Sequence, residues 1–216
     1  MRKGSIEVVT DIVHSGTYAG KFTIFPDNVF NARQLRTQLN GPKVTVEEGT
    51  DTFMSLYIYM KDAPKGRDNF LYWEGEPPPG RWNNVMTWWV EPSGSGQVIK
   101  FGTGNLGVKG VHWEADFVLG TWHQLAMHVH WSEHESDGNV KLWWDGFEVL
   151  DLQTQTKGPE NRYGVHDTSP TNGCPSGIDG LAESLLLRGV RAGTSANQEF
   201  TEIRMIQPST QYISMI

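Results

Sequence analysis

With 216 residues, 38% of them hydrophobic and 20% charged, the sequence is long enough for one sizeable core and needs no second domain. Its 25 acidic against 18 basic residues leave a formal charge of −7, which argues against nucleic acid as a partner, because phosphate binding needs an excess of Lys and Arg. The single cysteine, Cys174, excludes an intrachain disulfide and a multi-cysteine zinc site, no apolar run of about 18 residues marks a membrane span, and the opening MRKGSIEVV lacks the apolar segment of a secretion signal.

In chain order, alternating or β-branched and aromatic runs predict strands at GKFTIF (20–25), KVTVEE (43–48), DTFMSLYIYMK (51–61), NFLYWE (69–74), NNVMTWWVEP (83–92) and QVIKFG (97–102). The second half continues with HWEADFV, WHQLAMHVHWS, NVKLWWD, FEVLDLQ, LLLRGVR and FTEIRMIQ. Turn signals such as PPPGR, EPSGSG, SDGN and WDGF separate them, and no segment keeps a 3.6-residue apolar period with caps. About a dozen strands without helices predict an all-β fold, two antiparallel sheets packed as a sandwich or jelly roll, in a single domain over 1–216. A Gly/Pro/Asn/Ser-rich stretch at 155–180 is expected to be a long loop, the kind that often serves binding.

Several patterns carry possible chemistry. Arg36, Gln38 and Asn40 share one face of a strand in RQLRTQLN, with Arg33 ahead of them; guanidinium and amide donors in a row suit a carboxylate-bearing ligand, or form a polar outer face. Tyr72, Trp73, Trp88 and Trp89 could offer flat rings to sugars or fill a core, and alternation sends Trp88 and Trp89 in opposite directions. Gly102 to Gly107 spells G-x-G-x-x-G, but a turn and a strand follow it where a phosphate site needs a helix. Glu114 and Asp116 share a strand face as in retaining glycosidases on sandwiches, while Val118 and Leu119 stand where a third acid would be. His128 and His130 also share a face; solvent-facing residues, cleft residues and zinc ligands stay open, and zinc would need a third ligand from elsewhere.

The block Gly120-Thr121-Trp122-His123-Gln124-Leu125 through His130-Trp131-Ser132, followed by Asp137-Gly138-Asn139-Val140-Lys141-Leu142-Trp143-Trp144-Asp145-Gly146, resembles the polysaccharide lyases with a β-jelly roll: the glucuronan lyase, heparin lyase I and alginate lyase groups. His14-Ser15-Gly16-Thr17-Tyr18-Ala19-Gly20-Lys21-Phe22 is similar to their opening, and Arg36-Thr37-Gln38-Leu39 to the alginate lyase R-[STN]-E-L motif, with Gln for Glu. The resemblance implies a concanavalin A-like jelly roll that cleaves an acidic, uronic-acid-containing polysaccharide, such as a β-1,4-glucuronan, by β-elimination. Arg36 and Gln38 would neutralise the substrate carboxylate, and His128, His130 or Tyr163 would move protons. Arg33, Asn40, Tyr72, Trp73, Trp88 and Arg188 would contact the chain.

Two positions depart from the family pattern. Where a strand like Y-F-K-x-G-x-Y is implied, this chain has Leu185 and Arg191 in place of the tyrosines. Either the proton donor comes from elsewhere, or the protein binds uronans without cutting them, as a lectin-like or laminin-G-like module would; a retaining glycosidase using Glu114 and Asp116 is a third reading. No cofactor is expected to be required. A structural calcium would suit carboxylates and carbonyls on a sandwich edge, although no acidic loop specifies one. The expected partner is an acidic polysaccharide, with no nucleic acid and no membrane, met by a monomer; a lyase of this kind would work outside the cell or in a periplasm.

Overall fold

A computed structural model describes residues 5–23, 37–39, 44–45, 47–64, 66–75, 83–104, 107–158, 162–163, 203–205 and 210–214. These residues form fifteen strands and no helix, and the paired strands run antiparallel. One sheet is seven-stranded: β1 (Ser5–Val9), β2 (Ala19–Thr23), β15 (Thr210–Ser214), β5 (Thr50–Met60), β10 (Trp122–Trp131), β11 (Asn139–Trp144) and β12 (Phe147–Gln153), in that spatial order. The other is six-stranded: β4 (Val44–Thr45), β13 (Arg162–Tyr163), β6 (Asp68–Gly75), β7 (Asn83–Ser93), β8 (Gly96–Thr103) and β9 (Gly110–Asp116). A separate pair joins β3 (Thr37–Leu39) to β14 (Ile203–Met205). The jelly-roll sandwich expected from the sequence is the fold found.

The two-residue period of a strand builds the core directly. In β10, His123, Leu125, Met127, Val129 and Trp131 are buried, while Trp122, Gln124, Ala126, His128 and His130 face outward. β5 repeats this, with Thr52, Met54, Leu56, Ile58 and Met60 inward against Asp51, Phe53, Ser55, Tyr57 and Tyr59. From the six-stranded sheet, Trp73, Trp88, Phe101 and Ile99 meet these side chains to close the core. The Trp73 and Trp131 rings meet edge-on at 5.5 Å between centroids, one such contact between the sheets, and burying each large side chain contributes about 1.5–3 kcal/mol.

Local chemistry sets the connections. Asp145 and Gly146 have φ of 49° and 85°, the paired positive values of a primed hairpin turn, so Asp-Gly joins β11 to β12 as expected. No helix follows Gly102 to Gly107: β8 ends at Thr103 and β9 begins at Gly110, so the backbone there cannot cradle a pyrophosphate on a helix N-terminus. The stretch expected to be a loop at 155–180 needs correction at one point. Arg162–Tyr163 form β13, paired to Val44–Thr45 on one side and to Gly75 on the other. The segment LLLRGVR lies outside the described residues, whereas β1 and β15 are strands that the sequence patterns did not single out.

Candidate functional site

On the outward face of the six-stranded sheet, register aligns Asn69, Trp89, Lys100 and Glu114 across β6, β7, β8 and β9. Arg67 stands two residues before Asn69 and joins this row: its Nε donates to Asn69 Oδ1 at 2.8 Å, and its guanidinium lies 3.9 Å above the Trp89 ring. Trp89 is held in turn by its Nε1–H, which donates to Glu91 at 3.1 Å. Glycine at 102 makes room for that ring, because a Cβ there would come within 3.1 Å of the indole and 2.6 Å of the Gly110 carbonyl.

Charge is distributed unevenly along the row. Lys100 Nζ is 2.9 Å from Glu91 and 3.2 Å from Glu114, and its hydrogen bonds to Glu91 and Glu114 hold its pKa above the ordinary lysine value. Burial against Trp89 pulls the Arg67 pKa down, opposed by the charge of Glu91, and leaves it a partly desolvated cation. Glu114, with 61% of its side chain exposed, is engaged by Lys100, and Asp116 is exposed two residues on.

Several of the sequence-predicted residues gather around β6 by their backbone. Gln38 sits in β3 opposite Arg204 of β14, and β14 packs against β6. Tyr163 pairs with Gly75 at the end of β6, and Tyr72 pairs with Thr87 within it. Arg33, Arg36, Asn40 and Arg188 lie outside the described residues, as do Leu185 and Arg191. Trp73 and Trp88 are corrected: they are 1% and 0% exposed in the core, so neither offers a ring to a ligand. The outward tryptophan of the pair is Trp89, whose open face is taken by Arg67.

The histidine pair belongs to the other sheet. His128 Nε2 and His130 Nδ1 both donate to Asp51 Oδ1, at 2.8 and 2.9 Å, and the His128 ring stacks on Phe53 with centroids 4.3 Å apart. Desolvation raises the Asp51 pKa, but the hydrogen bonds from His130 and His128 outweigh it and the net shift is downward. These side chains point out from the seven-stranded sheet, away from the six-stranded sheet against which β14 packs. Among the described residues, no group of three or more His, Cys, Asp or Glu is arranged to hold a metal ion.

The remaining described histidines lie apart from this pair. His123 is buried, with Nδ1 on Asp145 at 2.8 Å and Nε2 3.2 Å from the Val118 carbonyl. His14 lies on Tyr57 at 3.5 Å. His112 alone, among the described histidines, sits in the six-stranded sheet, where Thr103 and the Val108 carbonyl engage its Nε2 at 2.7 and 3.1 Å. Sequence reading passed over Arg67 because it ends the turn KDAPKGRD; extending the alternation backward from Asn69 puts it on the face of Asn69.

A family model described as polysaccharide lyase matches residues 1–179. Comparison with curated proteins finds no match. Among solved structures, the chain is similar to the endo-β-1,4-glucuronan lyase of the fungus Trichoderma reesei, with a TM-score of 0.57 and 14% identity over 97% of this chain and 87% of that one. It is also similar to the catalytic domain of a glycoside hydrolase family 131 protein from Coprinopsis cinerea, with a TM-score of 0.53 and 12% identity over 98% and 78%. At such identities these likenesses show the shared fold.

Proposed function

The chain belongs to the polysaccharide lyase family, carbon–oxygen lyases, and from this premise we propose that it cleaves a 4-linked uronic acid polymer by β-elimination. In that reaction a base takes the C5 proton, the C4–O4 bond breaks as the C4–C5 double bond forms, and the departing O4 receives a proton. The C5 proton is acidic enough only when the neighbouring carboxylate is neutralised.

We assign neutralisation to Arg36 and Gln38 and proton transfer to Tyr163, whose phenol can donate as the acid and accept as the phenolate. The observation that carries this reading is that β6, which bears Tyr72, is paired by β13, which bears Tyr163, and packed by β14, the partner of β3 and its Gln38. His128 and His130 are left out of the chemistry because they face outward from the opposite sheet. Such a polymer is too large to enter a cell intact, so the reading also favours action outside the cytoplasm.

The test is to incubate the protein with glucuronan, alginate and heparin and follow the ultraviolet absorbance of the new double bond. Glucuronan, the polymer named for the Trichoderma reesei enzyme, is tried first. A rise on one of these polymers is the expected result; new reducing ends without a rise, or no cleavage of any, would overturn the proposal.

A further inference from the structure

We propose that Arg67, held over the Trp89 ring, grips a carboxylate of the bound polymer and so forms a uronate subsite at the β6 side of the six-stranded sheet. This rests on the reading of the substrate as an acidic polysaccharide.

Among the described residues, Arg67 is the cation of this face that has donors to spare. Lys100 is committed to two carboxylates, Glu91 and Glu114. Arg67 spends its Nε on Asn69, an uncharged acceptor, and feels the charge of Glu91 without a close salt bridge among the described residues. Its two terminal nitrogens can therefore meet a carboxylate with the paired, parallel hydrogen bonds for which a planar guanidinium is suited.

Two supports fix the group before a ligand arrives. Trp89 supports the guanidinium at 3.9 Å, and Asn69 accepts from its Nε. An arginine restrained in this way loses little rotamer freedom on binding. Partial desolvation on the indole also strengthens its attraction to an anion, since fewer waters must be displaced and screening is weaker.

The polarity of the row says where an acidic chain would lie. Toward β9 the face ends in Glu114 and Asp116, and Lys100 offsets no more than part of the charge of Glu91 and Glu114. A polyanion is repelled there and drawn to Arg67 at β6, the strand that β13 and β14 adjoin. Trp89 itself is 5% exposed beneath Arg67, so its role is to carry the guanidinium and not to stack on a sugar.

Calorimetric titration with oligosaccharides of 1,4-linked glucuronate, and with the carboxyl-reduced oligosaccharides of equal length, tests this. Arg67→Gln is expected to weaken uronate binding about tenfold and to leave the reduced sugars unaffected, with Arg67→Lys in between because it keeps the charge and loses the planar fork. Equal uronate affinity in wild type and Arg67→Gln, equal losses on both ligands, or no uronate binding by the wild type would each overturn the assignment. Failure of the elimination assay with this charge-dependent binding intact would sink the lyase chemistry and leave the arginine subsite standing.

Discussion

Trp88 and Trp89 are neighbours in sequence with opposite environments. Alternation along β7 dictates that they part company, but the apolar run VMTWWV gives no sign of which faces the core. The register decides it, by setting Trp88 opposite Phe101 and Trp89 opposite Lys100. Trp88 is fully buried beside Phe101 and Trp113, at centroid distances of 5.0 and 5.8 Å. Trp88→Ala should therefore cost about 4 kcal/mol, read as a lower midpoint in urea unfolding with little change in slope. A loss under about 1 kcal/mol would mean that the core collapses to fill the hole.

At the scale of elements, residues 154–158 are the segment that holds β5, β10 and the turn before β11 together without being a strand. Lys157 is 1% exposed; its ammonium lies 2.6 Å from Glu133 and 3.4 Å from Glu48, and Glu48 also accepts from the Ser132 hydroxyl and the Glu133 amide. The buried partner is the cation, whereas both carboxylates keep about two-fifths of their surface in water. Removing the carboxylates should accordingly hurt more than removing the lysine. The pair Glu48→Ala and Glu133→Ala, made together, should cost about 3 kcal/mol by stranding a buried charge, and Lys157→Met about 1 kcal/mol. The reverse ranking in thermal unfolding would refute the role of burial.

Acid should act on the same clamp. The Ser132 hydrogen bond, followed by the Glu133 amide and Lys157, outweighs desolvation and holds the Glu48 pKa below the ordinary value. A depressed carboxylate stabilises the fold fully above its unfolded pKa and loses that contribution as pH falls through the folded value. Stability should thus decline below about pH 4.3, and Glu48→Gln should flatten that limb of the stability profile.

Across the whole molecule, the fold was largely legible and the site was not. Binary alternation in β5, β10 and β11 is strong enough to predict two sheets, because a half-buried strand must repeat every two residues. It cannot tell one sheet from the other. It therefore left open whether His128 and His130 face a cleft or solvent, and strand order carries them to the outward face of the seven-stranded sheet. Arg67 was hidden for a related reason: its importance comes from Trp89 across a strand pair, a neighbour that no local spacing reveals. His128→Gln with His130→Gln should leave kcat on a cleaved uronan within about twofold of wild type, since neither reaches the β6 side. A fall of more than about a hundredfold would return the chemistry to that face.

The seven-stranded sheet places β15 between β2 and β5, so the latest of its strands to be synthesised is an inner one. Until Gln211, Tyr212 and Ile213 pair with both neighbours, β1 and β2 form a hairpin with no edge to join. The amino-terminal hairpin must therefore wait on the ribosome for residues made nearly two hundred positions later. Nascent chains stalled before Thr210 should show β1 and β2 cut by protease while β5 to β12 resist, and release of the full sequence should protect them.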